Sequence, residues 1–469
     1  MEKRYRILLI AFFFFGLSFA QKNVDLIIYN AKIYTINQNF DRAEAMAVSK
    51  GKIVAIGTDN DILKKYTSSR KININQQPVY PGFIDAHCHF TGYATDRWKS
   101  NLVGTKSWEE IVSKIQEYSK NAPKFWLYGR GWDQNDWAVK EFPSKEKLDE
   151  LFPNRPVYLK RVDGHAAIAN QKALDLAKVT VKSKVLGGEV EVKNGKLTGI
   201  LTDNAMDLVE KVIPPLEDEM AIKYFDELQL ECFAYGLTSV HDCGISEHTL
   251  SLLEKSQQKK ALKMNVFALL EDNPDYYQKW IKKGRYTNGK ITVGGFKVYA
   301  DGALGSRGAC LLNDYHDKPN WRGFLRSEPS HFLDLAQKLK NSNLQMCTHA
   351  IGDSANRAIL KIYANVLEGK NDRRWRIEHA QIVNPEDFQY FGKYSVVPSV
   401  QPTHATSDMY WAEDRLGAKR MKTAYAYQDL LKQNGWLPLG TDFPVEDIST
   451  FKTFLASVAR KDAQNYPEN

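Results

Sequence analysis

Residues 81–90, PGFIDAHCHF, decide how the rest of this chain is read. Residues 83–86 have the look of a short buried strand, and the run continues into His-x-His. Side chains repeat every two residues along a strand, so His87 and His89 point the same way and Cys88 between them faces the other. Two imidazoles on one face are half of a metal site. Whether they are more than two unrelated histidines depends on what the chain supplies further on.

From Pro81 onward, short apolar strands alternate with amphipathic helices. Strands are expected at 83–89, 238–242, 264–270, 295–301, 344–350, 375–380, 396–401 and 436–442. A helix over 216–235 follows Pro214-Pro215, places Ala221, Phe225, Leu228 and Cys232 at helical spacing, and stops at Gly236. Asp353 reads as the N-cap of a helix with Ile359, Ile362, Tyr363 and Val366 on its buried stripe. Asn384-Pro385-Glu386-Asp387 reads as another helix start. Eight strands alternating with helices predict an α/β fold, a parallel (β/α)8 TIM barrel, with a doubly wound open sheet as the second choice. The first crossover, residues 91–237, is too long for one helix. Its aromatic-rich pieces, KFWLYGRGWDQNDW and RPVYLKRVDGHAAIAN, read as an insertion over the barrel mouth, the second as a further strand ending in Asp163-Gly164-His165.

Upstream, residues 21–80 are β-rich, with Lys50-Gly51-Lys52 as a tight hairpin turn, and form a small sheet domain without visible chemistry. Residues 1–20 read as a signal peptide: Lys3, Arg4 and Arg6, then an apolar core over 7–15, then Ser18-Phe19-Ala20 as the cleavage site. That core is too short for a permanent membrane span, so an exported protein, periplasmic or secreted, is expected. With 469 residues, 43% hydrophobic and 26% charged, the chain is long enough for one large domain and a smaller one. A net charge of +8 is modest at this length, and no basic run is present, so no nucleic-acid partner is expected. Five widely spaced cysteines, Cys88, Cys232, Cys243, Cys310 and Cys347, read mostly as free buried thiols. Neither a Gly-x-Ser-x-Gly elbow nor a phosphate loop appears.

In a parallel barrel the C-terminal ends of the strands converge on one face, where catalysis occurs. There the sequence puts His87 and His89 from strand one, Lys297 from strand four, His349 from strand five, His379 from strand six and Asp442 from strand eight. Four histidines and an aspartate are the ligand types that hold zinc or a similar divalent ion. One such histidine alone is most simply a hydrogen-bonded core residue. Five strand-end placements together are not. His165 in VDGHAA, Arg307 in the Gly-rich loop after strand four, and Gln401 and His404 after strand seven are expected to face the pocket as substrate contacts, where such groups polarise a carbonyl or hold a charged end. Trp126, Trp132, Trp137 and Trp321 suggest an apolar or aromatic-accepting cavity.

Through PGFIDAHCH, FKVYADGALGSRGA, THAIGDSAN, RIEHAQ, QPTHATSD and GTDFPVE, in that order over nearly all of residues 23–469, the chain resembles the amidohydrolase superfamily, in the branch containing N-substituted formamide deformylases. The resemblance implies a metal-dependent hydrolase acting on a carbon–nitrogen bond other than a peptide bond. Its barrel would occupy residues 81–469, with a small β-sandwich formed here by the N-terminal strands of residues 21–80 only. It implies His87, His89, His349 and His379 as metal-binding histidines, Asp442 as the strand-eight aspartate and Lys297 as the strand-four lysine, carbamylated in many relatives to bridge two metals. Whether one zinc-like ion or two is held stays open. Asp442, touching metal and water, is the expected catalytic residue, taking a proton from the water and passing it to the leaving nitrogen. Beside two divalent cations an unmodified Lys297 would be repelled and poorly solvated, which favours its neutral form and uptake of CO2. The expected partner is a small amide-type substrate, and a homo-oligomer is left open. The alternative is a non-catalytic, regulatory or binding member of the same fold, which loss of ligands would mark; here they are intact. Relatives usually continue for several dozen residues past the eighth strand to complete the small sheet domain, so unpaired edges are expected among the strands of residues 23–80.

Overall fold

The computed structural model describes residues 21–122 and 125–468; the signal segment expected at residues 1–20 lies outside the described residues. The chain divides into two units, Met1–Gly82 and Phe83–Asn469. In the first, Val24, Ile27, Ala45, Ala47 and Ile62 form the core. Its strands build small separate sheets, the largest in the order Lys52–Gly57, Ala45–Ser49, Leu26–Tyr29, Lys71–Asn73. Lys50 and Gly51 turn that hairpin with φ of 50° and 71°, the mirror-image turn that matches strand twist. Lys52–Gly57 is an edge strand with Ile53, Val54 and Ile56 exposed.

The second unit is built on a parallel barrel. Seven strands follow in chain order around it: β1 (Phe83–Cys88), β2 (Leu237–Ile245), β3 (Asn265–Glu271), β4 (Ile291–Tyr299), β5 (Gln345–Ala350), β6 (Arg376–His379) and β7 (Val397–Ser399). The eighth stave is irregular, although a regular strand over 436–442 is the sequence expectation. Residues 438–443 nevertheless bond to both neighbours. On one side Val400 N donates to Pro438 O and Gly440 N to Val400 O, at 3.2 and 3.0 Å. On the other, Ala86 N donates to Leu439 O, Asp442 N to His87 O and His89 N to Phe443 O, at 3.1, 2.8 and 2.9 Å. Asp442 has φ of 62°, which a strand cannot accommodate, and this explains the irregularity. A Cβ at Gly440 would lie 2.6 Å from His87 N, so only glycine lets the segment come this close.

One carboxylate pins this closure. Asp85 on β1 accepts from His87 N and Thr441 N, both at 3.1 Å, and from the Thr441 hydroxyl at 2.7 Å. Outside the strands, helices α1 (Asp218–Ala234) and α2 (Asp353–Leu367) are among those that seal the apolar layer. Helix α1 follows the two prolines, buries Ala221, Phe225, Leu228 and Cys232, and is followed by Gly236 at φ 79°. The cap of α2 is Gly352 and not Asp353, whose carboxylate accepts from Leu312 N at 2.8 Å. Cys88 lies in this outer layer, on the opposite side of β1 from the histidines, and all five thiols are free.

Within residues 91–237, a separate six-stranded sheet takes up Ser100 to Asp203, with an apolar layer on each face. The flanking pieces, Phe90–Asp96 and α1, are barrel helices packed on each other and on β2.

Replacing Asp85 by Ala removes three hydrogen bonds to a buried carboxylate and leaves buried amides unpaired, so a stability loss of about 3–5 kcal/mol is expected. Denaturant midpoints at constant slope measure it. A loss below about 1 kcal/mol would mean that barrel closure does not hang on this residue.

Candidate metal centre

The ends of the barrel strands bring their polar side chains together in a small volume. His87 and His89 place their Nε2 atoms 3.5 and 3.3 Å from Oδ1 of Asp442. Each Nδ1 is already committed: that of His87 donates to Glu378 Oε2 at 2.6 Å, and that of His89 to the Cys243 carbonyl at 3.0 Å. A neutral imidazole with its proton on Nδ1 presents a lone pair at Nε2. Two lone pairs therefore face a buried carboxylate oxygen that has no hydrogen-bond partner. On the other side of Asp442, Oδ2 accepts from His404 Nε2 at 3.1 Å and stands 3.9 Å from His379 Nδ1, which is also buried and unpartnered.

Those orphaned atoms test whether a metal belongs here. His87, His89 and Asp442 form one group able to hold an ion, and His379, His404 and Asp442 a second that shares the carboxylate. Each buried unpaired group costs about 1–3 kcal/mol, a cost that a divalent cation among them removes. The nitrogen and oxygen donors suit zinc or a similar ion, so the residues fit. His349 stands beside these groups and belongs to neither, its ring 4.5 Å from His379 and its Nε2 3.4 Å from the Gly302 carbonyl. Lys297, fully buried on β4, donates to His87 Nε2 at 3.1 Å. Both His379 (φ 73°) and Asp442 (φ 62°) hold left-handed backbone, strain of the kind that functional sites sustain.

Burial sets the protonation of the rim. It lowers His87 to about 4, with the Lys297 charge adding to the effect. It also holds His349 and His379 well below the ordinary value, helped by neighbouring imidazoles. These rings are neutral at ordinary pH, the form metal binding requires. Burial alone would raise Asp442 and Glu378. Instead His87, His404, His89 and His379 hold Asp442 well below the carboxylate range, and Arg376, His87 and Lys297 do the same for Glu378. For His404, burial would lower the pKa, but Asp442 and Glu446 hold it well above the ordinary value. It is an imidazolium between two carboxylates, at 3.1 Å from Asp442 and 3.3 Å from Glu446, and in that form it gives the second group no ligand lone pair. For Lys297, burial is outweighed by Tyr299, Cys243, Glu378 and Asp442, and the amine keeps its proton.

The rim opens into a cavity of about 210 Å³ walled by the barrel and the inserted sheet. His165 lines it, with its ring 4.9 Å from that of His349, and so does His404. Arg307 and Gln401 do not. Arg307 turns to Asp317 at 2.8 Å, and the Gln401 amide nitrogen donates to the Ser399 carbonyl at 3.2 Å while its Oε1 is buried without a partner. The four tryptophans expected in the wall are elsewhere: Trp132 and Trp137 pack in one layer of the inserted sheet, Trp126 in the other, and Trp321 donates to the Arg307 carbonyl. Trp411 is the indole in the wall, beside the charged Asp133, Asp136, Arg161 and Asp163.

Residues 71–468 match the Amidohydrolase family. The chain belongs to that family. YtcJ of Bacillus subtilis (strain 168), which bears the name of an amidohydrolase, is 32% identical over 448 residues, covering 93% of this chain and 84% of YtcJ. The N-substituted formamide deformylase of Arthrobacter pascens is 23% identical over 469 residues, covering 94% and 85%. Among solved structures, an uncharacterized metal-dependent hydrolase from Pyrococcus horikoshii OT3 superposes with a TM-score of 0.74 at 28% identity, covering 93% of this chain and 86% of that one.

One residue of the amidohydrolase rim escapes a reading by strand ends alone. Glu378 lies inside the barrel between the Arg376 guanidinium, 2.9 Å from Nε, and His87. The signal is in RIEH, where Arg376 and Glu378 are two apart on one strand and so face the same side; charges inside a barrel must compensate each other. Glu378 fixes the ring and tautomer of His87. Replacing it by Gln is expected to weaken divalent-metal binding about 10–100-fold in competition with a chelator. Unchanged affinity would reduce Glu378 to an ion-pair partner of Arg376.

Proposed function

We propose that this amidohydrolase cleaves the carbon–nitrogen bond of a small amide of the N-substituted formamide class, with Asp442 moving the proton. The observation that carries the reading is the divided carboxylate of Asp442, with Oδ1 unpartnered before His87 and His89 and Oδ2 held by His404. His87, His89, His349, His379 and Asp442 would hold the ion, zinc in this reading. When bound, the ion polarises the carbonyl and lowers the pKa of a water towards neutrality.

The chain's own residues then have distinct tasks. His404, cationic between Asp442 and Glu446, fixes the carboxylate through Oδ2 and leaves Oδ1 as the working atom. Asp442 Oδ1 takes a proton from the attacking water and delivers it to the leaving nitrogen, a contribution of roughly 10²–10⁴-fold. Lys297 is the amine that CO2 would modify once metal binding displaces its proton: the neutral amine adds to CO2 and releases a second proton, and the carbamate exchanges a cation against His87 for an anion and favours cation binding. The formamide class rests on likeness to the Arthrobacter pascens enzyme, and a cavity of about 210 Å³ supports a small substrate. Export to the periplasm or medium belongs to the same proposal and rests on residues 1–20 alone. Among the described residues, no helix is long and apolar enough to cross a membrane.

Turnover of formamides, N-acyl amines and cyclic amides is to be assayed with and without chelator. Metal-dependent hydrolysis of at least one N-substituted formamide is expected; none across the panel contradicts the proposal. Asp442→Asn is expected to lower kcat at least about 10²-fold while metal content stays near that of the parent. Unchanged turnover would remove Asp442 from its role.

A further inference from the structure

His165 stands in the cavity wall, and its supporting contacts come from the inserted sheet and from a barrel loop. Its Nδ1 lies 2.6 Å from Oδ1 of Asp203, at the end of the strand Lys196–Asp203. The side chain of Asp203 is fully buried, and its second oxygen, Oδ2, has no hydrogen-bond partner. That oxygen sits against the loop that follows β4. A Cβ built on Gly302 would come within 2.3 Å of Oδ2, and one on Gly308 within 2.4 Å. Gly302 and Gly308 of DGALGSRG therefore form a socket that only an absent side chain can leave open. Asp203 itself has a left-handed backbone (φ 46°), which aspartate tolerates better than most residues. A buried carboxylate in a close-fitting seat, with one oxygen spent on an imidazole and the other on nothing, is arranged to serve the imidazole.

We infer that Asp203 is a positioning residue: lodged between Gly302 and Gly308, it holds His165 as the Nδ1–H tautomer, so that the unprotonated Nε2 faces the cavity as a hydrogen-bond acceptor. The acceptor's partner is an N–H or O–H group of the substrate, a part of the inference that rests on the amide reading, where a secondary amide supplies such an N–H. In the neutral ring, a carboxylate that accepts from Nδ1–H leaves the lone pair on the far edge. Among the described residues Nε2 has no hydrogen-bond partner, and the ring centroid is 4.9 Å from that of His349. Glu378 does the same for His87 at 2.6 Å, so the site uses one device twice, once from inside the barrel and once from the inserted sheet.

The test reads the tautomer directly, in the metal-free full chain. Nitrogen-15 NMR of histidine-labelled protein at mildly alkaline pH, with His165 assigned by its loss in His165→Gln, distinguishes protonated from unprotonated ring nitrogens. The downfield resonance of an unprotonated nitrogen is expected at Nε2 in the parent, and Asp203→Ala is expected to move it to Nδ1. Gly308→Ala, which displaces the carboxylate from its seat, is expected to shift it in the same direction. A parent spectrum with Nε2 protonated, or a His165 pattern unchanged in both variants, overturns the inference. Neither readout depends on turnover, so a failed substrate panel with the expected spectra would refute the amide reading and leave the Asp203–His165 pair standing.

Discussion

Two imidazole Nε2 atoms and a carboxylate oxygen meet across 3.5 and 3.3 Å at the mouth of this barrel. Acceptor facing acceptor is repulsive, and burial sharpens the repulsion because little water is there to screen it. The frame around the three groups prevents escape. Glu378 and the Cys243 carbonyl lock the two rings from behind, and the backbone of Asp442 is bonded to that of His87. A divalent cation relieves the arrangement, and Lys297 at 3.1 Å from His87 supplies positive charge only on one side. Much of the local design follows from keeping these groups together.

The cost of that design is spread over the fold. The closing segment gives up regular strand geometry so that Asp442 can stand where it does, and Asp85 and Gly440 accept the consequence with a staple and a missing side chain. His379 takes strained backbone at the end of β6. Arg376 and Glu378 form a buried ion pair whose desolvation offsets much of its attraction, yet that pair orients His87. The inserted sheet extends the pattern to the cavity wall, where Asp133 and Asp163 brace the buried Arg161 while Asp203 braces His165. The cavity wall is mixed, with Trp411 and Tyr299 beside these charged groups, although none of the four tryptophans singled out in the sequence contributes to it.

What the sequence discloses and what it hides divide along the range of the interaction. His-x-His, the helix over 218–234 and the hairpin at Lys50-Gly51 follow from periodicity and local backbone preference, which residues carry with them. The gathering of His87, His89, His379 and Asp442 is legible because a parallel barrel sends strand ends to one rim. Side-chain direction within loops is not legible. Arg307 and Gln401 sit at the right chain positions and turn away, Arg307 to Asp317 and the Gln401 amide nitrogen to the Ser399 carbonyl. Glu378, Asp203 and the double hold on His404 depend on contacts up to 291 residues apart in sequence, beyond any local rule.

The cation is what this site is arranged around. Elemental analysis of the purified protein, prepared without added metal, tests it most directly. About one to two equivalents of zinc or a similar divalent ion per chain are expected, and replacing His87 and His89 by Ala together is expected to abolish them. A folded chain with no metal, taking none up from solution, would contradict the claim that these lone pairs are arranged around an ion.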